Sequence, residues 1–436
     1  MQATSTSSTV PRIVIVGGGA GGLALATQLG RDLGRPGRAE IILADMDAAY
    51  VWKPMLHTVA AGTYDAGIQQ TAYLAQAANR HFHFMPGRMT ALDRASRRIT
   101  LAPVTDINGQ VSLPEREVGY DYLVLAVGSR ANDFGTPGVQ AHCDFIEGRR
   151  EARVFNSKLR LELLRAIHSS ETGGLAIIGG GATGVQLAAE VSHMLELIDG
   201  YGVPDAHAHF KLYLIEMQDH ILAGFPDNVV QQATEQLAKV GVEVMTGAQV
   251  ASVDAEGVSL KDGRQLPARI KVWAAGVKAP EFLHGIDGLE SMRNGRLVIN
   301  TQLQTRRDDR IYAIGDCAAL TFPGETMPLP TTAQVANQQA KYLAEALPRR
   351  LAGQASAPFE YHDMGKIVSL SDYNAFGVLG NYGFFKHGFI KGRFAQLGHL
   401  FLYRRFQVDL YGWWRTGLRM IADRINRLSQ PKVRLD

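Results

Sequence analysis

The chain contains little cysteine, and its histidines are scattered. Its two cysteines, Cys143 and Cys317, form no C-x-x-C pair, no metal-ligand spacing and no disulfide framework. His57, His387 and His399 also show no metal-ligand spacing, so we expect them to be solvated or packed. The sequence therefore predicts neither a metal site nor a fold held by disulfides.

Long apolar runs are missing as well. No run approaches the roughly 18 apolar residues that a membrane-spanning helix needs. The first ten residues are polar and lack the basic and apolar regions of a secretory signal peptide, so we predict a disordered leader over residues 1–10. Together these features favour a cytoplasmic, reducing location.

A strong net charge is absent too, at +3, but the positive charge is unevenly placed. Residues 386–436 hold eleven lysines and arginines against three acids, which leaves the rest of the chain mildly acidic. A basic C-terminal region on an acidic body predicts an anionic partner surface, either a membrane or a nucleic acid.

The glycines of the chain, by contrast, form a specific pattern near its start. Residues 13–16 are all apolar and β-branched, as in a strand buried on both faces. Gly17, Gly19 and Gly22 follow as G-x-G-x-x-G and open a helix whose N-terminus would face phosphates. Asp45 closes a second strand 23 residues after Gly22, the spacing at which an acid accepts ribose hydroxyls. The alternative is a glycine-rich structural turn, but the flanking strand, helix and acid favour a dinucleotide site.

The same pattern occurs a second time. Gly179, Gly181 and Gly184 again lie between an apolar strand and a helix, and Glu216 closes the next strand. The separation of 32 residues between Gly184 and Glu216 is long because residues 199–209 form an insertion rich in glycine, proline and histidine. For Glu216 the alternative is a solvated acid at a strand end. Two complete fingerprints predict two separate dinucleotides.

Two fingerprints followed by a Gly-Asp pair after a late strand resemble the flavoprotein disulfide-reductase fold family. The resemblance implies a flavin domain interrupted by a nicotinamide domain, with the Asp316 carboxylate accepting hydroxyls of the flavin ribityl chain. The redox-active C-x-x-x-x-C of that family is absent here. Electrons would therefore leave the flavin directly to a second substrate.

Four further motifs closely resemble type II NADH dehydrogenases, the single-chain NADH:quinone oxidoreductases that pump no protons. They are V-W-K-P-M-L at 51–56, V-W-A-A-G-V at 272–277, A-I-G-D-C-A at 313–318 and A-Q-V-A-N-Q at 333–338. The resemblance covers nearly the whole chain. It implies FAD as cofactor, NADH as donor and a membrane quinone, ubiquinone or menaquinone, as acceptor. It also implies a homodimer that feeds a respiratory chain from the cytoplasmic face of the inner membrane.

The predicted fold is α/β, with two Rossmann-like dinucleotide-binding domains and a C-terminal membrane-anchoring region. The predicted segments are a leader over 1–10, the first part of the FAD-binding domain over 11–137, the NADH-binding domain over 138–278, the second part of the FAD-binding domain over 279–350 and a C-terminal domain over 351–436.

The candidate cofactor-binding residues come from the glycine fingerprints and from the resemblance. They are Gly17, Gly19, Ala20, Gly21, Gly22, Asp45, Lys53, Pro54, Ala126, Gly128, Gly179, Gly181, Thr183, Gly184, Glu216, Ala275, Gly276, Gly315, Asp316 and Ala333. The carboxylate of Glu216 would repel a 2′-phosphate, and no arginine follows it, so NADH is favoured over NADPH. Ala275 and Gly276 are small enough to let the nicotinamide approach the flavin.

Three glutamines are the candidate catalytic residues. Gln334 and Gln338 lie four apart on one face of a helix predicted over 331–347, with Thr331 or Thr332 as its N-cap. They would donate to a quinone carbonyl or to flavin O2, although two ordinary surface glutamines would show the same spacing. Gln186 stands where similar enzymes usually carry glutamate. Because glutamine does not titrate, a proton role at this position is doubtful, while hydrogen bonding near the nicotinamide remains open.

The C-terminal region carries an apolar stripe at helical spacing. Its members are Tyr403, Phe406, Leu410, Trp414, Leu418, Ile421, Ile425 and Leu428, with arginines among them. This pattern predicts an in-plane membrane anchor that Gly412 and Gly417 would divide. A core helix with a charged outer face has the same period and is the alternative.

Two other functions compete with the quinone reductase. A sulfide:quinone oxidoreductase would need a cysteine pair beside the flavin, and Cys143 and Cys317 are badly placed for that. A redox sensor would bind NADH and form a long-lived reduced complex with slow or absent turnover. A nucleic-acid-binding role for the tail is weaker, because its aromatic residues share one apolar stripe.

Overall fold

The computed structural model describes residues 10–63, 70–169, 172–200, 206–371, 373–380 and 389–429. Most of the predicted leader lies outside these residues, and so does His387. The side chains of His399 and Leu428 are not described either. Within the described part, no helix combines the length and the apolar character required to cross a membrane.

The strands are numbered in chain order. They are β1 Arg12–Val16, β2 Glu40–Asp45, β3 Ala49–Tyr50, β4 Thr71–Ala72, β5 His83–Pro86, β6 Met89–Asp93, β7 Arg98–Leu101, β8 Val104–Thr105, β9 Val111–Leu113, β10 Arg116–Gly119, β11 Tyr122–Leu125, β12 Arg130–Ala131, β13 Gly173–Ile178, β14 Phe210–Ile215, β15 Val242–Met245, β16 Val250–Val253, β17 Gly257–Leu260, β18 Gln265–Pro267, β19 Ile270–Trp273, β20 Val277–Lys278, β21 Leu297–Val298, β22 Gln304–Thr305, β23 Asp308–Ala313, β24 Ala318–Ala319, β25 Gly365–Leu370, β26 Asn374–Leu379 and β27 Phe389–Lys391.

The α-helices are numbered in the same way. They are α1 Ala20–Leu29, α2 Leu56–Ala61, α3 Tyr73–Arg80, α4 Val139–His142, α5 Arg149–His168, α6 Ala182–Asp199, α7 Ala206–His209, α8 Asp227–Lys239, α9 Ala333–Leu351, α10 Arg393–Tyr411 and α11 Trp413–Ser429.

The first of two compact units contains the chain up to Tyr50, Gln70–Arg130 and Lys278–Tyr361. Its main sheet has the order β22-β23-β11-β1-β2-β5. The five strands from β23 to β5 are parallel, and β22 is antiparallel. All of β1 after its first residue is buried, as expected for a central strand that is covered on both faces.

The second unit contains Val51–Gln69, Ala131–Val277 and the chain from His362 onward. Its parallel sheet has the order β15-β14-β13-β19, and β13 is buried throughout. Side chains of α5 and α6 cover this sheet, and side chains of β25 and β26 belong to the same apolar core. Each fully buried leucine, isoleucine or phenylalanine there contributes about 1.5–3 kcal/mol to folding. The predicted α/β class with two Rossmann-like units is confirmed.

The compact units differ from the predicted segments in several places, among them residues 51–63, 131–137 and 351–361. Residues 51–63 fall in the predicted first part of the FAD-binding domain, yet they belong to the second unit. The reason is packing, because Val51, Leu56 and Val59 are buried in the core that α5 and α6 form. The five-part division itself stays a prediction.

Candidate functional site

The first glycine fingerprint forms a cradle with one open position. Gly17 has φ +103°, and a Cβ there would lie 2.3 Å from the carbonyl oxygen of Ala126. A Cβ on Gly22 would lie 1.8 Å from the oxygen of Gly17. A Cβ on Gly19, in contrast, would meet no atom within 4 Å. Packing therefore demands two of the glycines, while the middle one leaves space for a ligand to approach the backbone.

Asp45 is fixed against this cradle. It ends β2, and its two carboxylate oxygens accept hydrogen bonds from the backbone N–H groups of Gly18 and Asp47. The hydroxyl of Tyr73 donates to the carbonyl oxygen of Gly18 at 2.9 Å, and its ring covers the Cα of Gly18. The sequence pattern did not single out Tyr73, since no short-range signal links it to the glycine loop.

The predicted Gly-Asp pair lies on a 3₁₀ turn directly after β23. Gly315 has φ +71°, which permits the turn. Oδ2 of Asp316 accepts a hydrogen bond from the hydroxyl of Ser129 at 2.7 Å. The N–H of Gly315 donates to Oε1 of Gln339 at 2.7 Å, so the turn is tied to α9. Gln339 was not predicted, because its contact with Gly315 is a long-range one.

Other predicted flavin residues of the first unit lie around the same cradle. Gly128 has φ +72° and follows the buried Ala126 at the end of β11. Ala20, Gly21 and Gly22 begin α1, and a Cβ on Gly21 would lie 3.1 Å from the oxygen of Ala336. Ala333 is the first residue of α9. Lys53 and Pro54 instead lie on the 3₁₀ turn Lys53–Met55 of the second unit.

The second glycine fingerprint repeats the first. Gly179 has φ +119°, and a Cβ there would lie 2.6 Å from the carbonyl carbon of Ala274. A Cβ on Gly184 would lie 1.9 Å from the oxygen of Gly179, while the position above Gly181 is open to 4 Å. Thr183 is exposed in the first turn of α6. The second unit thus has its own cradle with the same opening at the middle glycine.

Glu216 closes the second cradle as Asp45 closes the first. Its Oε2 accepts from the N–H of Gly180 at 2.7 Å, and its Oε1 accepts from the N–H of Gln218 at 2.8 Å. A freely solvated acid at a strand end would have no such fixed partners. Glu216 is therefore held in a fixed position beside the second cradle, and its role in ligand binding stays a prediction.

Ala275 and Gly276 follow β19, and an aromatic ring covers Gly276. Gly276 has φ +74°, and a Cβ there would lie 2.9 Å from Cζ of Phe134. Phe134 is itself 66% exposed and has φ +52°, an unusual value for a residue other than glycine. A nicotinamide that approached this face of Gly276 would meet the Phe134 ring, which the sequence analysis did not predict.

Gln186 is buried on α6, and Glu190 is buried one turn later. The hydroxyl of Thr63 donates to Oε1 of Glu190. The residue with an ionisable side chain on this helix face is therefore Glu190 rather than Gln186.

The predicted glutamine pair lies on α9, whose start matches the prediction. The Thr332 hydroxyl accepts from the N–H of Val335 at 3.3 Å and caps the helix. Gln334 and Gln338 are both half-buried. Oε1 of Gln334 accepts from the hydroxyl of Tyr361 at 3.1 Å, which leaves the amide NH₂ as its donor.

Neither cysteine has a reactive environment. Burial raises the pKa of Cys143 to about 12 and the pKa of Cys317 to about 11. The two residues belong to different units. In the part of the chain that the structure describes, no three histidine, cysteine or acidic side chains cluster as metal ligands would.

Known proteins are similar to this chain over nearly its whole length. The family model for pyridine nucleotide-disulphide oxidoreductases matches residues 11–340. A Haemophilus influenzae protein named type II NADH:quinone oxidoreductase is 37% identical to this chain, over 97% of the chain and 99% of that protein. This chain belongs to the type II NADH:quinone oxidoreductase family.

A further relative and two solved structures are similar to this chain at lower identity. A Staphylococcus aureus type II NADH:quinone oxidoreductase is 29% identical and covers 84% of the chain and 89% of its own length. The structure of NDH2 from Plasmodium falciparum in complex with NADH covers 97% of this chain and 100% of its own, with a TM-score of 0.80 and 18% identity. The sulfide:quinone oxidoreductase of Aquifex aeolicus has a TM-score of 0.72 at 16% identity, covering 92% and 91%. At these identities the two solved structures show the fold alone.

In this type II family member, the predicted C-terminal stripe divides into two different surfaces. The helix is interrupted at Gly412 as predicted, but it continues through Gly417, where the predicted break is wrong because a glycine within a helix is tolerated. Before the interruption, Tyr403, Phe406 and Leu410 are buried, and the ring centroids of Phe406 and Trp52 are 4.4 Å apart. This half of the stripe is core, as the alternative interpretation had it.

The second half of the stripe is exposed. Trp413 and Trp414 are 83% and 79% exposed. We call the following side chains the C-terminal apolar set: Leu397, Phe401, Trp413, Trp414, Leu418, Ile421 and Ile425. Arg404 of α10 and Asp423 of α11 form an ion pair of 2.7 Å with little solvent exposure, which holds the two helices together.

Proposed function

We propose that the chain oxidises NADH through FAD and passes two electrons to a membrane quinone without pumping protons. The observation that carries the proposal is the pair of glycine cradles. Each is open at its middle glycine, each is closed by a fixed acid, and each belongs to a different compact unit. Two such cradles suit two dinucleotides that are held at the same time.

FAD fits the cradle of the first unit. The open backbone at Gly19 and the N-terminus of α1 suit a pyrophosphate, and Asp45 would accept the ribose hydroxyls. Asp316, whose partner Ser129 leaves Oδ1 available for other donors, would accept hydroxyls of the ribityl chain. When bound, FAD supplies the two-electron chemistry, namely hydride acceptance and electron delivery.

NADH fits the cradle of the second unit. Gly181 would face its pyrophosphate, and Glu216 would accept its adenine-ribose hydroxyls. Met217 beside Glu216 is exposed and carries no charge. The carboxylate of Glu216 would therefore repel the 2′-phosphate of NADPH, and no neighbouring positive charge at Met217 would offset this repulsion. Ala275, Gly276 and Gln186 would line the nicotinamide side, where positioning of the reacting atoms decides the rate of hydride transfer.

The quinone would be bound by α9. The NH₂ groups of Gln334 and Gln338 can donate to a quinone carbonyl without adding charge to a dry pocket. The hydroxyl of Tyr361 donates to the amide oxygen of Gln334. The NH₂ group is therefore the part of this side chain that would bind the quinone carbonyl. Gln186 has no proton role in this scheme.

The protein would associate with the membrane peripherally, through the C-terminal apolar set. Exposed tryptophans suit the boundary between headgroups and acyl chains, and each basic residue near an anionic surface adds up to about 1 kcal/mol. We further propose a homodimer on the cytoplasmic face of the inner membrane. The supports are the family resemblance and the basic C-terminal region.

An anaerobic titration tests the function directly. NADH should bleach the flavin absorbance stoichiometrically, and a short-chain quinone should then restore it repeatedly in the presence of excess NADH. Bleaching by NADH without recovery on adding quinone would favour the redox sensor. Bleaching by sulfide instead of NADH would favour a sulfide:quinone oxidoreductase.

A further inference from the structure

Arg296 is a buried cation next to the turn that carries Asp316. Arg296 directly precedes β21 in the first unit, and it is only 8% exposed. No carboxylate of the described residues forms an ion pair with it. A buried guanidinium is costly unless its N–H groups are bonded, so its partners indicate its role.

The partners of Arg296 are carbonyl oxygens of two different segments. Nε and Nη2 donate to the oxygen of Ala318 at 3.0 and 2.6 Å. Nη2 also donates to the oxygen of Leu329 at 2.8 Å. Ala318 follows the Gly315–Cys317 turn directly, and Leu329 lies three residues before Thr332, the N-cap of α9.

The guanidinium therefore joins the two segments that the proposed flavin site needs together. One carries Asp316, and the other leads to the N-terminus of α9 with Ala333 and Gln334. Leu329 N–H also donates to the oxygen of Leu320 at 2.8 Å, which closes the exposed loop between them at its base. Without Arg296, this backbone bond and the pairing of β21 with β24 would remain, but the side-chain link between the oxygens of Ala318 and Leu329 would be lost.

The charge of Arg296 acts on the same site. Burial lowers the pKa of Arg296, and the charge of Asp316 opposes this by favouring the protonated guanidinium. Reduction adds negative charge to a flavin, and a positive charge held in a buried environment stabilises that charge more than one in water. The reduced form would thus be favoured by this cation.

We propose that Arg296 is a positioning residue for FAD, which clamps the Asp316 turn to the start of α9 and raises the reduction potential of the bound flavin. This inference deepens the proposed function and rests on FAD lying against Asp316. It concerns the flavin alone and does not depend on which quinone is used.

The experiment compares the full-length holoenzyme with Arg296→Met, Arg296→Lys and the control Arg293→Met. Arg293 is exposed three residues earlier, so its substitution removes the same charge from the surface. FAD affinity is measured from the fluorescence of released flavin. The potential is measured by equilibration with a reference dye, without NADH or quinone.

For Arg296→Met we expect at least tenfold weaker FAD binding and a tenfold shift of the two-electron equilibrium toward oxidised flavin, about 30 mV. Arg296→Lys keeps the charge but cannot span both carbonyls, so FAD binding should weaken while the equilibrium moves threefold or less. Arg293→Met should match the parent in both measurements.

The inference would be overturned if Arg296→Met bound FAD as tightly as the parent and its flavin had the parental reduction potential. If Arg296→Met does not fold, Arg296→Lys decides, since parental FAD affinity in that variant would refute the clamp. A weakened affinity with an unchanged potential in a folded Arg296→Met would refute the electrostatic part. Failure of the proposed function is recognised separately, because the parent would then lack FAD or fail to pass electrons from NADH to quinone.

Discussion

At the scale of single residues, Glu216 is the residue that we propose to discriminate between NADH and NADPH. Its carboxylate is held by the N–H groups of Gly180 and Gln218, and the neighbouring Met217 is exposed. Changing Glu216→Gln together with Met217→Arg removes the repelling charge and adds a phosphate partner. The ratio of kcat/KM for NADPH to that for NADH should rise at least tenfold, about 1.4 kcal/mol.

Steady-state kinetics with both donors measure this ratio. Glu243→Gln, which removes an exposed acid from β15 of the same unit, is the matched control and should leave the ratio unchanged. A double variant with the parental ratio would show that Glu216 does not bind the ribose.

The cysteines offer a second test at this scale. Burial raises the pKa of Cys317 to about 11 and that of Cys143 to about 12, so both thiols stay protonated at neutral pH. Because the thiolate is the reactive form, alkylation by iodoacetamide should be very slow at pH 8 and accelerate as the pH rises toward 11. Mass spectrometry of the native protein follows the reaction.

Cys143→Ser and Cys317→Ala should each retain NADH:quinone turnover within about twofold, since no step uses a thiol. Loss of turnover in a variant that keeps its FAD would reinstate cysteine chemistry at the flavin. Free 2-mercaptoethanol provides the reference alkylation rate.

At the scale of elements, α9 connects the Gly315–Cys317 turn with the two glutamines that we propose to bind the quinone. Gln339 holds Gly315, while Gln334 and Gln338 are half-buried. Gln334→Leu and Gln338→Ala should each slow flavin reoxidation by quinone at least tenfold, yet change flavin reduction by NADH less than twofold. Stopped-flow absorbance separates the two half-reactions.

Arg349→Ala serves as the control, because Arg349 is exposed near the end of the same helix. Equal losses in both half-reactions would mean that the glutamines support the flavin site in general and not the quinone.

The elements also show how far a sequence pattern reaches. The strand–glycine–helix units, the acids that close them and the Thr332 cap depend on neighbours within a few tens of residues, and local rules predicted them. The stripe from Tyr403 onward has one period throughout, yet Phe406 packs on Trp52 and Trp414 is exposed. Periodicity specifies a face of a helix and not the partner that covers it.

The same reason explains the missed residues. Tyr73, Gln339 and Arg296 act through hydrogen bonds to backbone groups that are distant in sequence. No spacing rule records such partners. Phe134 is similar, since its importance rests on the position of Gly276, which a single sequence does not reveal.

At the scale of the whole molecule, membrane association should depend on the exposed side chains of α11. Truncation after Lys391 would remove Tyr403, Phe406 and Leu410 from the core and destabilise the fold. We therefore prefer the triple variant Trp413→Ser, Trp414→Ser and Ile421→Ser. Its binding to anionic liposomes should fall at least tenfold, while turnover with a soluble short-chain quinone stays near the parental value.

Flotation of liposomes measures the binding, and high salt should weaken but not abolish it in the parent, since apolar contacts do not depend on salt. Leu74→Ser, which removes an exposed apolar side chain from the first unit, is the control. A triple variant that floats like the parent would refute the anchor.

The ion pair between Arg404 and Asp423 makes the connection between α10 and α11 rigid. Both side chains are largely shielded from solvent, and removing one partner of such a pair leaves an uncompensated charge at a cost of about 3–5 kcal/mol. Because α10 is packed on β25 and β26, α11 is not a flexible tether. A force that a bilayer exerts on α11 would therefore not be absorbed by bending between the helices. It would be transmitted through α10 to the core of the second unit.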